Sequence, residues 1–122
     1  PQTDFHIDTF ASIVKVWLFD ASVTSSQGPL EYIPGSHRPT EARLRWMYAY
    51  GLPPASEALL EPSFRLEASP KAVAAAPNFV EECLSRGKRI LPLPGVQRTL
   101  VIADTSGIHR RSPGEVGRIR RS

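Results

Sequence analysis

The chain has 122 residues, 41% hydrophobic and 22% charged, enough for one domain with a modest core. It carries no apolar run of bilayer length and no basic-then-apolar leader in "PQTDFHIDTF", and its one cysteine, Cys83, rules out an intramolecular disulfide or a multi-cysteine zinc site, so a cytoplasmic, membrane-free protein is expected. The formal charge is +3, yet Arg110, Arg111, Arg118, Arg120 and Arg121 against Glu115 make residues 110–122 alone +4 and leave −1 for the rest; the basicity belongs to a tail, which argues against a chain-wide nucleic-acid surface.

Taken in chain order, "FHIDTF" (5–10) sets His6 and Asp8 two apart, on one face if the segment is extended. "IVKVWLF" (13–19) is β-branched and aromatic with hardly a polar break, which predicts a core strand covered on both faces. Within it Lys15 and Trp17 share a face with Ile13 and Phe19; an inward Lys15 needs a carboxylate partner, and an exposed lysine is the plainer expectation. "SSQGPLEYIPGSH" (25–37) brackets a short strand, Leu30 to Ile33, and the economical reading is a hairpin return after the first strand. Residues 39–94 hold most of the prolines and predict a helical excursion from the sheet. One helix runs from a Thr40 cap through Leu44, Met47 and Tyr48 to Gly51. A second has Asn78 as cap, Glu81 in capping-box position, an apolar face of Phe79, Val80, Cys83 and Leu84, and Gly87 as stop. Strand character returns in "TLVIAD" (99–104), followed by the loop "TSGIHRRSPGEVG" and a last strand-like piece from Arg118.

One imidazole and one carboxylate from His-x-Asp can approach one cation, and a third ligand has to come from His37 or His109. His109 follows an apolar strand beside Gly107, where a scaffold can aim a side chain into a cleft. Two histidines and a carboxylate on one face of a metal are the ligand set of non-haem Fe(II) oxygenases.

The ordered blocks "HID", "VKVWLFD", "GPLEYIPGSHR" and "LVIADTSGIHR" with "GRIR" resemble the phytanoyl-CoA dioxygenase family of Fe(II)/2-oxoglutarate-dependent oxygenases, over nearly the whole chain. The resemblance implies a mainly β fold, a double-stranded β-helix (a cupin-like jelly-roll) with a helical insertion at about 39–94, in a single domain spanning 1–122. His6, Asp8 and His109 become the iron ligands. An arginine beyond His109 grips 2-oxoglutarate through two parallel hydrogen bonds; Arg120 fits by its spacing from His109 and Arg118 by its Gly-Arg-apolar context. The implied reaction hydroxylates a small organic substrate with O2 and releases succinate and CO2, and Asp8 disfavours halogenation, which needs a small residue there. His37 is a loop histidine beside the site and no ligand. The family also has strands before His-x-Asp, so the resemblance implies an incomplete jelly-roll whose exposed sheet edges invite a homodimer. The competing expectations are a catalytically silent jelly-roll and a small basic interaction module.

Overall fold

The computed structural model describes residues 4–50, 68–69, 72–74 and 77–114. It is mainly β. In chain order the elements are β1 (His6–Ile7), β2 (Val14–Leu18), a 3-10 turn (Ser25–Gln27), β3 (Leu30–Tyr32), α1 (Glu41–Tyr50), β4 (Ala68–Ser69), β5 (Ala72–Ala74), α2 (Pro77–Ser85), β6 (Leu91–Leu93), β7 (Leu100–Asp104) and β8 (His109–Arg111). Six strands form one antiparallel sheet in the order β4-β5-β1-β8-β3-β6, and β2 and β7 form a separate two-stranded sheet. No helix among the described residues is long and apolar enough to cross a membrane.

The expected hairpin between the first strand and Leu30–Ile33 does not form. β2 pairs with β7, from Val14↔Asp104 to Leu18↔Leu100, while β3 lies in the other sheet between β8 and β6. The reason is local: Thr24 N–H donates to Gln27 Oε1 at 2.8 Å, and Gly28 follows at φ +72°, turning the chain out of the first sheet. A side chain at Gly28 would also run into the Ser112 carbonyl.

Nor is β2 covered on both faces. Val14, Val16 and Leu18 are 63, 58 and 66% exposed, and their partners across the ribbon, Leu100 and Ile102, are exposed with them. The opposite face carries Lys15 and Trp17 toward the larger sheet. Polar groups hold the end of the ribbon: Ser12 Oγ donates to Asp104 Oδ2 at 2.6 Å, and the Thr105 amide and hydroxyl both donate to the Ile13 carbonyl, at 2.8 and 3.1 Å. The Ser12 bond is the main influence holding the Asp104 carboxyl down at about 2.

Residues 39–94 are less helical than expected, for they supply β4, β5 and β6 to the larger sheet; β5 pairs with β1 and β6 with β3. These strands have two or three residues, and their identity comes from distant partners rather than from local pattern. Pro92 sits on β6, an outer strand of the sheet, where a missing N–H is tolerated.

Both helices form near where they are expected. Thr40 Oγ1 accepts the Arg43 amide at 3.2 Å as a cap on α1. α1, however, turns Ala42, Arg43 and Trp46 inward, and Leu44, Met47 and Tyr48 face solvent. On α2, Phe79 and Cys83 are buried, whereas Leu84 is exposed. The helix stops at Gly87 (φ +81°), where the Lys88 amide reaches back to the Cys83 carbonyl at 3.0 Å. The side chain of Asn78 and the strand-like piece from Arg118 lie outside the described residues.

The core joins helices to sheet: Ile7, Ile33, Trp46, Phe79, Cys83 and Ile108 form one buried cluster. Trp46 stands between Phe10 and Phe79, at ring distances of 5.0 and 5.1 Å. Replacing it by alanine removes the largest wholly buried side chain among the described residues and is expected to cost about 3–5 kcal/mol. Val16→Thr, on the exposed face of the ribbon, should stay within about 0.5 kcal/mol. Urea denaturation of both variants checks the contrast.

Candidate metal centre

Pairing of β1 with β8 sets His6 directly across from His109, with ring centroids 4.5 Å apart. Asp8 follows His6 by two and stays beside it, its amide bonded to the Thr105 carbonyl at 3.0 Å. One ligand atom from each of His6, Asp8 and His109 lies within 4.8 Å of the others, so the three could hold a metal ion.

The backbone decides which ring nitrogens are free. His6 Nδ1 is 2.7 Å from the Asp4 carbonyl and His109 Nδ1 is 2.9 Å from the Gly107 carbonyl. A carbonyl can only accept, so in the neutral rings each Nδ1 carries the proton and each Nε2 presents a lone pair. His109 Nε2 points at Asp8 Oδ1, 3.7 Å away. Two electron-pair donors thus face each other with no proton between them, an arrangement that a cation relieves. Backbone-fixed imidazoles of this kind are also what metal-ligating histidines require.

Burial, the largest influence, lowers the pKa of His109, which is 5% exposed, and outweighs the Gly107 carbonyl and the Asp8 charge that act against it, so the neutral, metal-binding form of the ring is favoured. For Asp8 burial alone would raise the carboxyl. Lys15, through its hydrogen bond and its charge, outweighs it and holds Asp8 below its ordinary value. Lys15 is the partner that matters most: Nζ is 2.6 Å from Asp8 Oδ2, leaving Oδ1 turned to the histidine. Lys15 is half exposed, in line with the plainer expectation, and still reaches a carboxylate of the protein from the cavity wall.

Around these residues is a cavity of about 470 Å³, lined from the larger sheet by His6, Leu30, His109 and Arg111 and from the ribbon by Lys15 and Trp17. The Trp17 and His109 rings lie edge to face at 6.5 Å.

His109 is held by a brace that sequence reasoning did not anticipate. It opens a strand, not a loop, and the turn before it is tied to the "PGSH" segment: Ile108 N–H donates to Ser36 Oγ at 2.7 Å, and Ile33 N–H to the Ile108 carbonyl at 2.9 Å. Arg43 is buried and donates to the carbonyls of Ser36 (3.1 Å) and Ser106 (2.8 Å), bridging the two loops. Tyr32 Oη donates to the Asp104 carbonyl at 2.8 Å and passes so close to Gly107 that a Cβ there would strike it. "PGSH" followed seven residues after its serine by an inward arginine was the available signal for this brace.

His37 is exposed, and no hydrogen bond to it is formed among the described residues. Arg118 and Arg120 lie outside the described residues. Comparison of the chain with protein-family profiles, with curated proteins and with solved structures found no match.

Two outcomes follow for the metal-free protein. Below the ordinary histidine value of 6.5 the unfolded chain takes up a proton at residue 109 that the folded chain resists, so stability is present above that pH and falls as the pH drops through the lower folded value. Urea midpoints should decline from pH 7 to pH 5, and His109→Gln should flatten that decline. Gly107→Ala, which forces Tyr32 against the turn, should cost about 1–3 kcal/mol and weaken binding of Mn(II) measured by calorimetry.

Proposed function

We propose that the chain is an Fe(II)- and 2-oxoglutarate-dependent oxygenase domain of the phytanoyl-CoA dioxygenase type, hydroxylating a small organic substrate. The observation that carries this reading is the convergence of one ligand atom each from His6, Asp8 and His109, with both Nδ1 atoms at hydrogen-bond distance from backbone carbonyls. Two imidazoles and one monodentate carboxylate suit a divalent first-row metal and fill one face of its coordination sphere. Two antiparallel sheets meeting at a cavity, with the ligands at strand ends, support a double-stranded β-helix. The ordered motifs support the same family.

Bound iron would let O2 act as the oxidant, with 2-oxoglutarate giving up two electrons as it becomes succinate and CO2 and the substrate C–H bond giving up the other two as it is hydroxylated. The remaining tasks belong to the protein. His6, Asp8 and His109 hold the metal. Lys15 turns Asp8 so that one oxygen faces the metal position and the other does not. Trp17 and Leu30 form apolar wall beside the site and limit water. Arg120 or Arg118 is assigned to 2-oxoglutarate on the motif resemblance alone.

One observation favours a second reading, a jelly-roll that binds without turnover: Lys15 already neutralises Asp8 at 2.6 Å. Anaerobic addition of Fe(II) and 2-oxoglutarate separates the two. A visible charge-transfer band that is lost in His6→Ala and His109→Ala is the expected result. A folded protein with no band would replace the oxygenase reading by the silent one.

A further inference from the structure

We propose that the outer face of the ribbon formed by β2 and β7 is a homodimer interface, covered by the same face of a second copy of this chain stacked on it about a twofold axis. The inference does not depend on the metal reading, because His6, Asp8, His109 and Lys15 all lie off this face.

The register of the ribbon puts Val16 across from Ile102 and Leu18 across from Leu100, and alternation keeps Val14 on the same side. These five residues are aliphatic, carry no charge and are between 55 and 66% exposed. Lys15 and Trp17 take the other side, which looks into the cavity and not onto a packed layer. None of the five belongs to the buried cluster that joins the helices to the larger sheet. A two-stranded ribbon is marginal in water without a packed face, and a contiguous apolar patch of this extent marks a contact surface.

Area and charge select the occupant. At these exposures the five residues present roughly 500 Å² to water. A standard interface covers about 800 Å² on each partner, of which about 65% is apolar in homodimers. One ribbon face therefore supplies the apolar core that one side of such a dimer needs, and a flat aliphatic face is complementary to itself. Asp104 closes one end of the face, across from Val14, with its carboxylate accepting from Ser12. Arg98, exposed and in no ion pair among the described residues, stands in the turn at the other end. A twofold axis through the middle of the ribbon carries each Asp104 toward the Arg98 end of the second copy and keeps the two carboxylates apart.

Pairing of strand edges does not solve the same problem. The Phe19 amide donates to the Thr99 carbonyl and the Thr105 amide to the Ile13 carbonyl, so Val14, Val16 and Leu18 turn their peptide groups to the open edge of β2. Two copies joined there would double the exposed apolar face instead of covering it. A face-to-face twofold pair covers it and closes at two copies.

The test is sedimentation velocity of the full chain from micromolar to several hundred micromolar concentration. Wild type should move from the 13.5 kDa monomer toward twice that mass. Val16→Lys and Ile102→Lys, one on each strand, should each weaken association at least tenfold and keep the wild-type circular dichroism spectrum, since both positions are open to water in the monomer. Val16→Thr remains near neutral when urea denaturation is run on dilute, monomeric protein. Hydrogen exchange of wild type gives a reading that needs no variant: between dilute and concentrated protein, protection should rise in residues 14–18 and 100–104. A rise confined to other segments overturns the proposal. So does association lost in Val16→Lys but intact in Ile102→Lys, which would assign the edge of β2, or growth beyond two copies. A wild type that is monomeric throughout overturns it as well and leaves the face to a different chain.

Discussion

The pairing of β1 with β8 is the constraint on which the rest of the structure depends. One register sets His6 against His109, residues from opposite ends of the chain, and the neighbouring positions, Ile7 and Ile108, are both wholly buried in the core on the other side. A two-residue strand cannot specify its own place. Burial of Ile7 does so, at about 1.5–3 kcal/mol for a side chain of this kind, and the same alternation that buries Ile7 leaves His6 on the cavity side. The polar site is thus positioned by apolar packing on the opposite face of the strand.

Polar groups then refine what packing places. The turn before His109 has no apolar alternative for its backbone, so its donors and acceptors are met one by one, by Ser36, Arg43 and Tyr32. Burial lowers the pKa of Arg43, with Asp104 and Tyr32 acting against it, and raises that of Tyr32, so the tyrosine remains a hydrogen-bond donor. The brace is expensive to break, because each lost partner leaves a buried group unpaired. Trp46 is the exception in the core: its Nε1 has no hydrogen-bond partner among the described residues, and its ring packs against Phe10 and Phe79.

What could be read from the amino-acid order was whatever depends on local pattern. β2, β7, both helices, the Thr40 cap and the Gly87 stop are all near their expected positions, and His6, Asp8 and His109 do come together. Pairing was not legible, because it depends on partners far along the chain. The apolar run at 13–19 looks identical whether one face or two are covered, which is why the exposure of Val14, Val16 and Leu18 came as a correction. β4, β5 and β6 are too short to show a period.

The clamp of Ser12, Asp104 and Thr105 at the end of the ribbon has a wider meaning. With apolar residues on its open face and a half-exposed lysine on the cavity face, β2 violates the usual inside-outside code, so hydrophobicity would not resist a one-residue slip that exchanged the two faces. Alignment of the ribbon is therefore held by a hydrogen-bonded stop, much as a ruler is set against an edge. The composition of the cavity wall is encoded less in which residues are greasy than in where the chain begins to count.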